Sequence, residues 1–285
     1  MDRTRKSLAV VFGSVVLMIG TGGCDTTPTG LDSTDRVVVE AFLFANEPII
    51  EVFVGGTFAL GGDPDSAAAI NDADVRLVKN GVPYTLDAVG DSGRYEYRGR
   101  DLVVEEGDIF GLEVDYYGRT AVGETTVPPP PVGVALERDT VFAPRFGPRR
   151  NRSTPGERST EVTWLNPDEL WHFVVVESLE DSVPQIFPDQ VLERIQRRFR
   201  FVSQPTLDPL FGVGVLMLED MGEHQVRVYR VNEEYQELYE NRTQDSRDLN
   251  EPPSNIRNGL GVFSAFNSVV VPFVVVRDPI LPPSG

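Results

Sequence analysis

Asn80-Gly81 stands between Val75-Arg76-Leu77-Val78 and Val82-Pro83-Tyr84, and a β-run, a two-residue turn and a second β-run in that order close as an antiparallel hairpin. A type I′ turn needs positive φ at both central residues, which Asn and Gly supply at little cost. The same alternation recurs along the first half of the chain. Runs at Val37 to Phe44, Ile49 to Phe53, Asp74 to Lys79, Arg94 to Tyr97, Ile109 to Tyr117 and Thr120 to Val127 are rich in β-branched and aromatic residues. Turn residues such as Asp91-Ser92-Gly93 and Glu106-Gly107-Asp108 separate them. Many short strands at this spacing cannot bury a face singly and pair into two facing sheets, so residues 36–128 are predicted to form a β-sandwich of the Ig-like or transthyretin-like kind.

Pro128-Pro129-Pro130-Pro131 follows. Proline donates nothing to a sheet ladder and consecutive prolines favour an extended segment, so residues 129–131 read as a stiff spacer between separately folding pieces. From 132 to 285 the chain is β-rich again, and Phe173-Val174-Val175-Val176, apolar without alternation, reads as a central strand buried on both faces. Val269 to Val276 carries Pro272, which calls for an edge or a bulge. Two short helices are expected here. One is capped by Asp189 and carries Val191, Leu192, Ile195 and Phe199; the other is capped by Asn232 and carries Tyr235, Leu238 and Tyr239, with Glu233 and Glu234 in its first turn. The expected architecture is thus all-β, two β-sandwich domains, the second with one or two short helices.

The start of the chain sets an address. Arg3, Arg5 and Lys6 lead into an apolar stretch from Leu8 to Ile19, then Gly20, Thr21, Gly22 and Gly23, then Cys24. Cationic start, apolar run and small residues before a cut are the parts of a secretory signal, and the apolar run is shorter than the roughly 18 residues a membrane span requires. A cysteine at the cut is what lipoprotein processing uses to form a diacylglyceryl thioether, and Cys24 is the chain's single cysteine. Residues 1–23 are therefore read as a lipoprotein signal peptide and 24–35, made almost entirely of Asp, Thr, Pro, Gly and Ser, as a flexible tether. With its one thiol committed to lipid the mature chain has no disulfide, and no cofactor is expected beyond that lipid. Removing residues 1–23 takes the formal charge from −18 to −20, which disfavours nucleic acid as a partner.

Residues able to carry chemistry are sparse. His172 and His224 lack a metal-ligand spacing or a triad context and read as structural. Asp63, Asp65, Asp72 and Asp74 cluster and either solvate a loop or offer oxygens to calcium, although Ala67 and Ala68 stand where an EF-hand needs a ligand and a glycine. Glu105-Glu106 and Glu219-Asp220 are adjacent in sequence and would point apart in a strand, which suits turns better than paired acid–base work. Trp164, Trp171, Tyr95, Tyr97, Tyr116 and Tyr117 fill cores or form a stacking platform for glycans. Arg145, Arg149, Arg150, Arg152 and Arg158 crowd one Pro- and Gly-rich stretch, a solvated hairpin loop or a basic patch for lipid phosphates or an acidic partner.

The run Asn232 to Phe266, NEEYQELYENRTQDSRDLNEPPSNIRNGLGVFSAF, resembles the closing signature of a family of bacterial outer-membrane lipoproteins, domain of unknown function 4249. INDADVRLVKNG, GRYEYR, VVEEGDIFGLEV and AVGETTVPPP are similar to its amino-terminal sandwich, so the resemblance spans nearly the whole mature chain. Asn258 departs from the family's first glycine, and Ser264-Ala265 from a glycine-rich step. The resemblance implies an outer-membrane, lipid-anchored protein that partners a TonB-dependent transporter in uptake or surface assembly, with Asn255, Gly259, Gly261 and Phe263 as a structural turn. The residues themselves favour a non-catalytic binding or accessory module, against the alternatives of a cell-surface hydrolase or a glycan-binding protein.

If Cys24 carries the anchor, Cys24→Ser moves the protein from the membrane to the soluble fraction, because thioether-linked diacylglycerol and an amide-linked acyl chain together give the two-signal attachment that stable anchoring needs. Fractionation with acyl labelling reads this, and an unlabelled mutant retained as well as wild type would refute it.

Overall fold

The computed structural model describes residues 36–57, 69–146, 153–180, 183–188, 200–241 and 254–279. The segments read as a signal peptide and a tether, with Cys24 between them, Asp63 and Asp65, Arg149, Arg150 and Arg152, and the helix expected after Asp189 lie outside them, as do the side chains of Leu238 and Tyr239.

Within the first half, β1 (Val37–Phe44), β2 (Glu51–Gly56) and β5 (Arg94–Glu96) form one sheet, and β3 (Asp74–Lys79), β6 (Ile109–Tyr116) and β7 (Arg119–Thr126) form the other. The strand β4 (Val82–Val89) joins them, pairing with β3 over Val82–Leu86 and with β5 over Asp87–Val89. Asn80-Gly81 makes the β3–β4 turn with φ of 49° and 86°, the geometry a type I′ turn demands. Alternate residues face inward: Val39, Ala41 and Leu43 from β1, Val52 and Val54 from β2, and Val75, Leu77, Phe110, Leu112 and Val114 from β3 and β6 are at most 1% exposed.

The second half contributes β8 (Val132–Leu136), β9 (Thr140–Ala143), β10 (Ser159–Leu165), β11 (His172–Ser178), β12 (Arg200–Val202), β13 (Leu210–Gly214) and β14 (Gly222–Arg230), then a helix α1 (Glu233–Asn241) and a final strand β15 (Leu260–Arg277). A three-stranded sheet, β13-β10-β8, packs on the larger one. Val162, Trp164 and Val213 meet Val174, Val176, Val226, Val228, Phe273 and Val275 in its core. Phe173 to Val176 is buried on both faces, as the unbroken apolar run requires.

Both sandwiches share β15. Its first part, Leu260 to Phe266, pairs in parallel with β1, and its second, Asn267 to Val275, pairs antiparallel with β14. At its end Val274 to Arg277 also pairs with β9. Pro272 falls where β1 has ended and β9 has not begun, a stretch with one strand partner only, where a residue lacking N–H is tolerated. The proline segment does follow β7, but the strand that closes the first core arrives from beyond it: Ile256, Phe263 and Ala265 lie in that core, Phe263 and Ala265 fully buried. Asn267 fixes the segment in place by donating from Nδ2 to the Pro128 carbonyl at 2.9 Å.

Removing a buried Phe alone costs about 3–5 kcal/mol, against a total of about 5–15 kcal/mol for a domain. Residues 36–128 expressed alone are therefore expected to show no cooperative melt by circular dichroism, and the same piece with residues 254–268 appended is expected to regain one. A sharp transition in the shorter piece would show that the first core does not depend on β15.

Candidate functional site

The outward positions of β1 are Val38, Glu40, Phe42 and Phe44, and those of β2 are Glu51 and Phe53. A half-exposed sheet face normally carries polar residues there, so three phenylalanines mark this face as covered or used. Phe44 is partly covered: its ring stacks on Phe266 at 5.2 Å and meets Tyr229 edge-on at 5.7 Å. Phe42 is covered on one side, by Tyr235 of α1 and by Phe266, each at 5.8 Å. On the other side it opens into a groove of about 500 Å³ lined also by Glu40, Ile50, Glu51, Val52, Phe53, Ser92 and Arg94.

The ladder sets the pattern of this groove. Glu40 pairs with Phe53, Phe42 with Glu51, and Phe53 with Arg94, so apolar rings alternate with charges across three strands. Ile50 is 45% exposed at its edge. Burial pushes the Glu51 carboxyl above its usual range, with Arg200 opposing and Glu47 reinforcing the rise. Arg227 pairs with Glu47 at 2.6 Å. The volume lies in the roughly 300–1,000 Å³ range of small-ligand sites, and an apolar floor with a few charged groups is the composition such sites have. The signal for the groove was present in the outward phenylalanines of the sequence, but only the arrival of α1 and β15 decides which of them stays open.

The turn Asn255 to Phe263 lies at the seam of the first sandwich. Asn255 Nδ2 donates to the Phe263 carbonyl at 2.7 Å, and Asn255 Oδ1 accepts the Phe263 N–H at 2.9 Å. Arg257 bridges Val122 of β7, so this segment joins the free edge of β7 to the β1–β15 pair. Asn258 adopts φ of 59° and donates to the Thr120 carbonyl at 3.2 Å. Gly261 has φ of 109°, and a Cβ there would lie 1.9 Å from the Val39 carbonyl oxygen. Gly259 does not have positive φ; its constraint is space, with Ile256, Ala121 and the Val37 carbonyl 2.9 to 3.1 Å from where a Cβ would be. The turn offers no nucleophile beside a base.

The remaining sequence candidates disperse. Trp164 lies in the second core and Tyr95 in the first, where its hydroxyl donates to the Ile70 carbonyl and accepts the Ala73 N–H. Tyr97 has left the strand; its hydroxyl donates to Asp101 at 2.6 Å, which pushes its pKa up to about 12. Tyr117 is 84% exposed on the β6–β7 turn, so the six aromatics form no common platform. Asp72 and Asp74 are exposed, and among the described residues no group of three or more His, Cys, Asp or Glu converges. His172 and His224 are buried, each with Nδ1 on a nearby carbonyl, and burial lowers both pKa values. His224 lines a cavity with Glu177, Glu219 and Asp220, whose carboxyl is pushed up by burial, but at about 10 Å³ that space is too small for a substrate and approaches the size of one water. Asn232 sits before α1 as expected, yet its amide donates across to the Thr126 carbonyl at 2.8 Å and so latches the helix to β7.

No protein-family model matches the chain, and no curated protein matches it. Among solved structures, domains A168–A170 of titin are similar at 12% identity and a TM-score of 0.22, over 85% of this chain and 66% of that one. The central fibronectin-III array of RIM-binding protein is similar at 10% identity and a TM-score of 0.23, over 88% and 71%. Likenesses of this degree say nothing of chemistry.

Gly261→Ala is expected to destabilise the fold well beyond the strain of its φ, because the added methyl meets the backbone of β1. Gly118→Ala supplies the comparison: at φ of 73° with nothing within 4 Å, it bears strain alone, about 1–2 kcal/mol. Urea melts of the two variants measure the difference, and equal losses would show that the turn yields to the added methyl.

Proposed function

We propose that the protein is a lipid-anchored component of the bacterial outer membrane that acts as a non-catalytic binding or accessory module, with the groove of Phe42, Ile50 and Phe53 as its ligand face. The observation that carries this reading is the groove itself: an apolar floor of about 500 Å³ edged by Glu40, Glu51 and Arg94, and among its described lining residues the one hydroxyl, Ser92, donates to the Val89 carbonyl rather than to a base. Such a surface selects by shape and by placed charge. A hydrolase needs in addition a positioned nucleophile or acid pair in a cleft that admits substrate.

The anchor rests on the sequence from Arg3 to Cys24. No helix among the described residues is long and apolar enough to cross a membrane, so attachment in this reading is through lipid on Cys24. The partner class, a TonB-dependent transporter, follows from the resemblance of Asn232–Phe266 and of the first sandwich to the outer-membrane lipoprotein family named above. The groove is a fitting surface for it, because it presents apolar area with both signs of charge at its rim.

Affinity purification from native membranes in mild detergent tests this, with Ile50→Arg beside wild type. Ile50 is 45% exposed, so the variant is expected to keep its melting temperature while losing the co-purified transporter. Wild type that recovers no transporter, or a variant that recovers as much of it, would overturn the proposal.

A further inference from the structure

The charges of the Phe42 groove are held apart. Glu40 and Arg94 stand opposite Phe53 on its two neighbouring strands, β1 and β5, so one ring separates a carboxylate from a guanidinium. Glu51 stands opposite Phe42, two residues along β1 from Glu40. Elsewhere in this sandwich opposite charges brought to one face do pair: Arg76 meets Asp115 at 2.6 Å and Lys79 meets Asp108 at 2.7 Å. In the groove they do not. Among the described residues none of Glu40, Glu51 and Arg94 takes a partner for its charged group in a salt bridge or a hydrogen bond.

Two strand spacings of about 4.8 Å put Glu40 and Arg94 roughly 10 Å apart at the backbone, and the floor between and beside them is Phe53, Phe42 and Ile50. A ligand with charge of one sign would satisfy one side of this floor and cover the other, leaving a desolvated charge without a partner. A ligand that carries both signs, separated by an apolar body, satisfies each. Glu51 is partly desolvated, which holds its carboxyl above the usual range, and an ammonium beside it favours the charged form. A single amino acid is too short, because one carbon separates its ammonium from its carboxylate. An extended chain advances about 3.3–3.6 Å per residue, so three residues span roughly 10 Å.

From this geometry we infer that the groove binds a short apolar peptide with free termini, about three residues long, its ammonium held by Glu40 and Glu51, its carboxylate by Arg94 and its side chains against Phe42, Phe53 and Ile50. The planar guanidinium fork suits a carboxylate, and the volume of about 500 Å³ is that of a small-ligand site. The peptide crosses the strands on the face of the sheet, where β1, β2 and β5 already pair with one another, so its termini and side chains are recognised and its backbone adds no ladder bonds. The inference rests on the reading of this groove as the ligand face and names the ligand that the face takes.

Calorimetric titration of the full chain with the tripeptide Leu-Phe-Leu, its N-acetyl form, its C-terminal amide and phenylalanine alone tests the inference. The free tripeptide is expected to bind at least tenfold tighter than each of the others. Glu40→Gln and Glu51→Gln together are expected to erase the loss on acetylation and keep the loss on amidation, and Arg94→Gln to do the reverse. All three positions are exposed, so these variants are expected to keep the melting temperature of wild type. Because peptide and transporter would share one floor, saturating tripeptide is expected to lower the transporter recovered from native membranes. Equal binding of the free, acetylated and amidated forms would overturn the inference, as would wild type that sediments with phosphatidylethanolamine vesicles but binds no tripeptide. Wild type that recovers the transporter, and loses it in Ile50→Arg, yet binds no tripeptide would overturn this inference while the groove reading stands; tripeptide bound alike by wild type and Ile50→Arg would overturn both.

Discussion

The ring of Phe266 touches those of Phe42, Phe44, Phe173, Tyr229 and Tyr235, and the arrangement of the whole chain depends on that junction. Phe42 and Phe44 come from the first sandwich, Phe173 and Tyr229 from the second and Tyr235 from α1. Phe173 and Tyr229 themselves stack at 4.6 Å and 11°. Each such pair is worth about 0.5–1.5 kcal/mol beyond the area it buries. The ion pair that spans the same region, Arg227–Glu47, has side chains 22% and 40% exposed, where about 0–1 kcal/mol is usual. Apolar and aromatic packing therefore sets the geometry between the halves, and the ion pair follows it.

From this junction the position of the groove follows. The outer face of β1 carries two phenylalanines, both partly buried against that junction. Phe44 lies between Phe266 and Tyr229; Phe42 gives one flank to Tyr235 and keeps the other open toward Phe53 and Ile50. The groove is thus the uncovered remainder of the surface that joins the two sandwiches. Its floor is rigid because Val52, fully buried, and the inward residues of β1 pack the core directly beneath. A rigid, preformed floor lowers the cost of ordering on binding.

Much of the first sandwich was legible in the sequence because its information is local. Asn80-Gly81 declares a hairpin by its own backbone preference, and the alternation in Val37 to Phe44 assigns inward and outward faces without any partner. The doubly buried strand at Phe173 was legible for the same reason. What the sequence could not convey was pairing at long range. Nothing in Leu260 to Phe266 announces that it will lie parallel to β1, more than 200 positions earlier, and the proline run reads as a boundary whether or not a later strand crosses it. The glycines of the turn show the same division. Their residue type suggested special backbone at Gly259 and Gly261, yet only Gly261 has positive φ, while Gly259 is constrained by the approach of Ala121 and Val37.

One strand connects these features. The 18 residues of β15 span about 60 Å at roughly 3.3 Å per residue, from the turn at Gly261 through the junction at Phe266 to the pairing with β9 at Arg277. Leu260 to Phe266 pairs with β1 alone and Asn267 to Phe273 with β14 alone, and only Val274 and Val275 are flanked on both sides, by β14 and β9. Pro272, with no N–H to contribute, lies in the stretch paired with β14 alone. Asn267, buried and bonded to the Pro128 carbonyl, marks the handover: the proline segment meets β15 at the residue where the strand's partner changes from β1 to β14, so the bond that ties the segment down lies next to the aromatic contacts of Phe266.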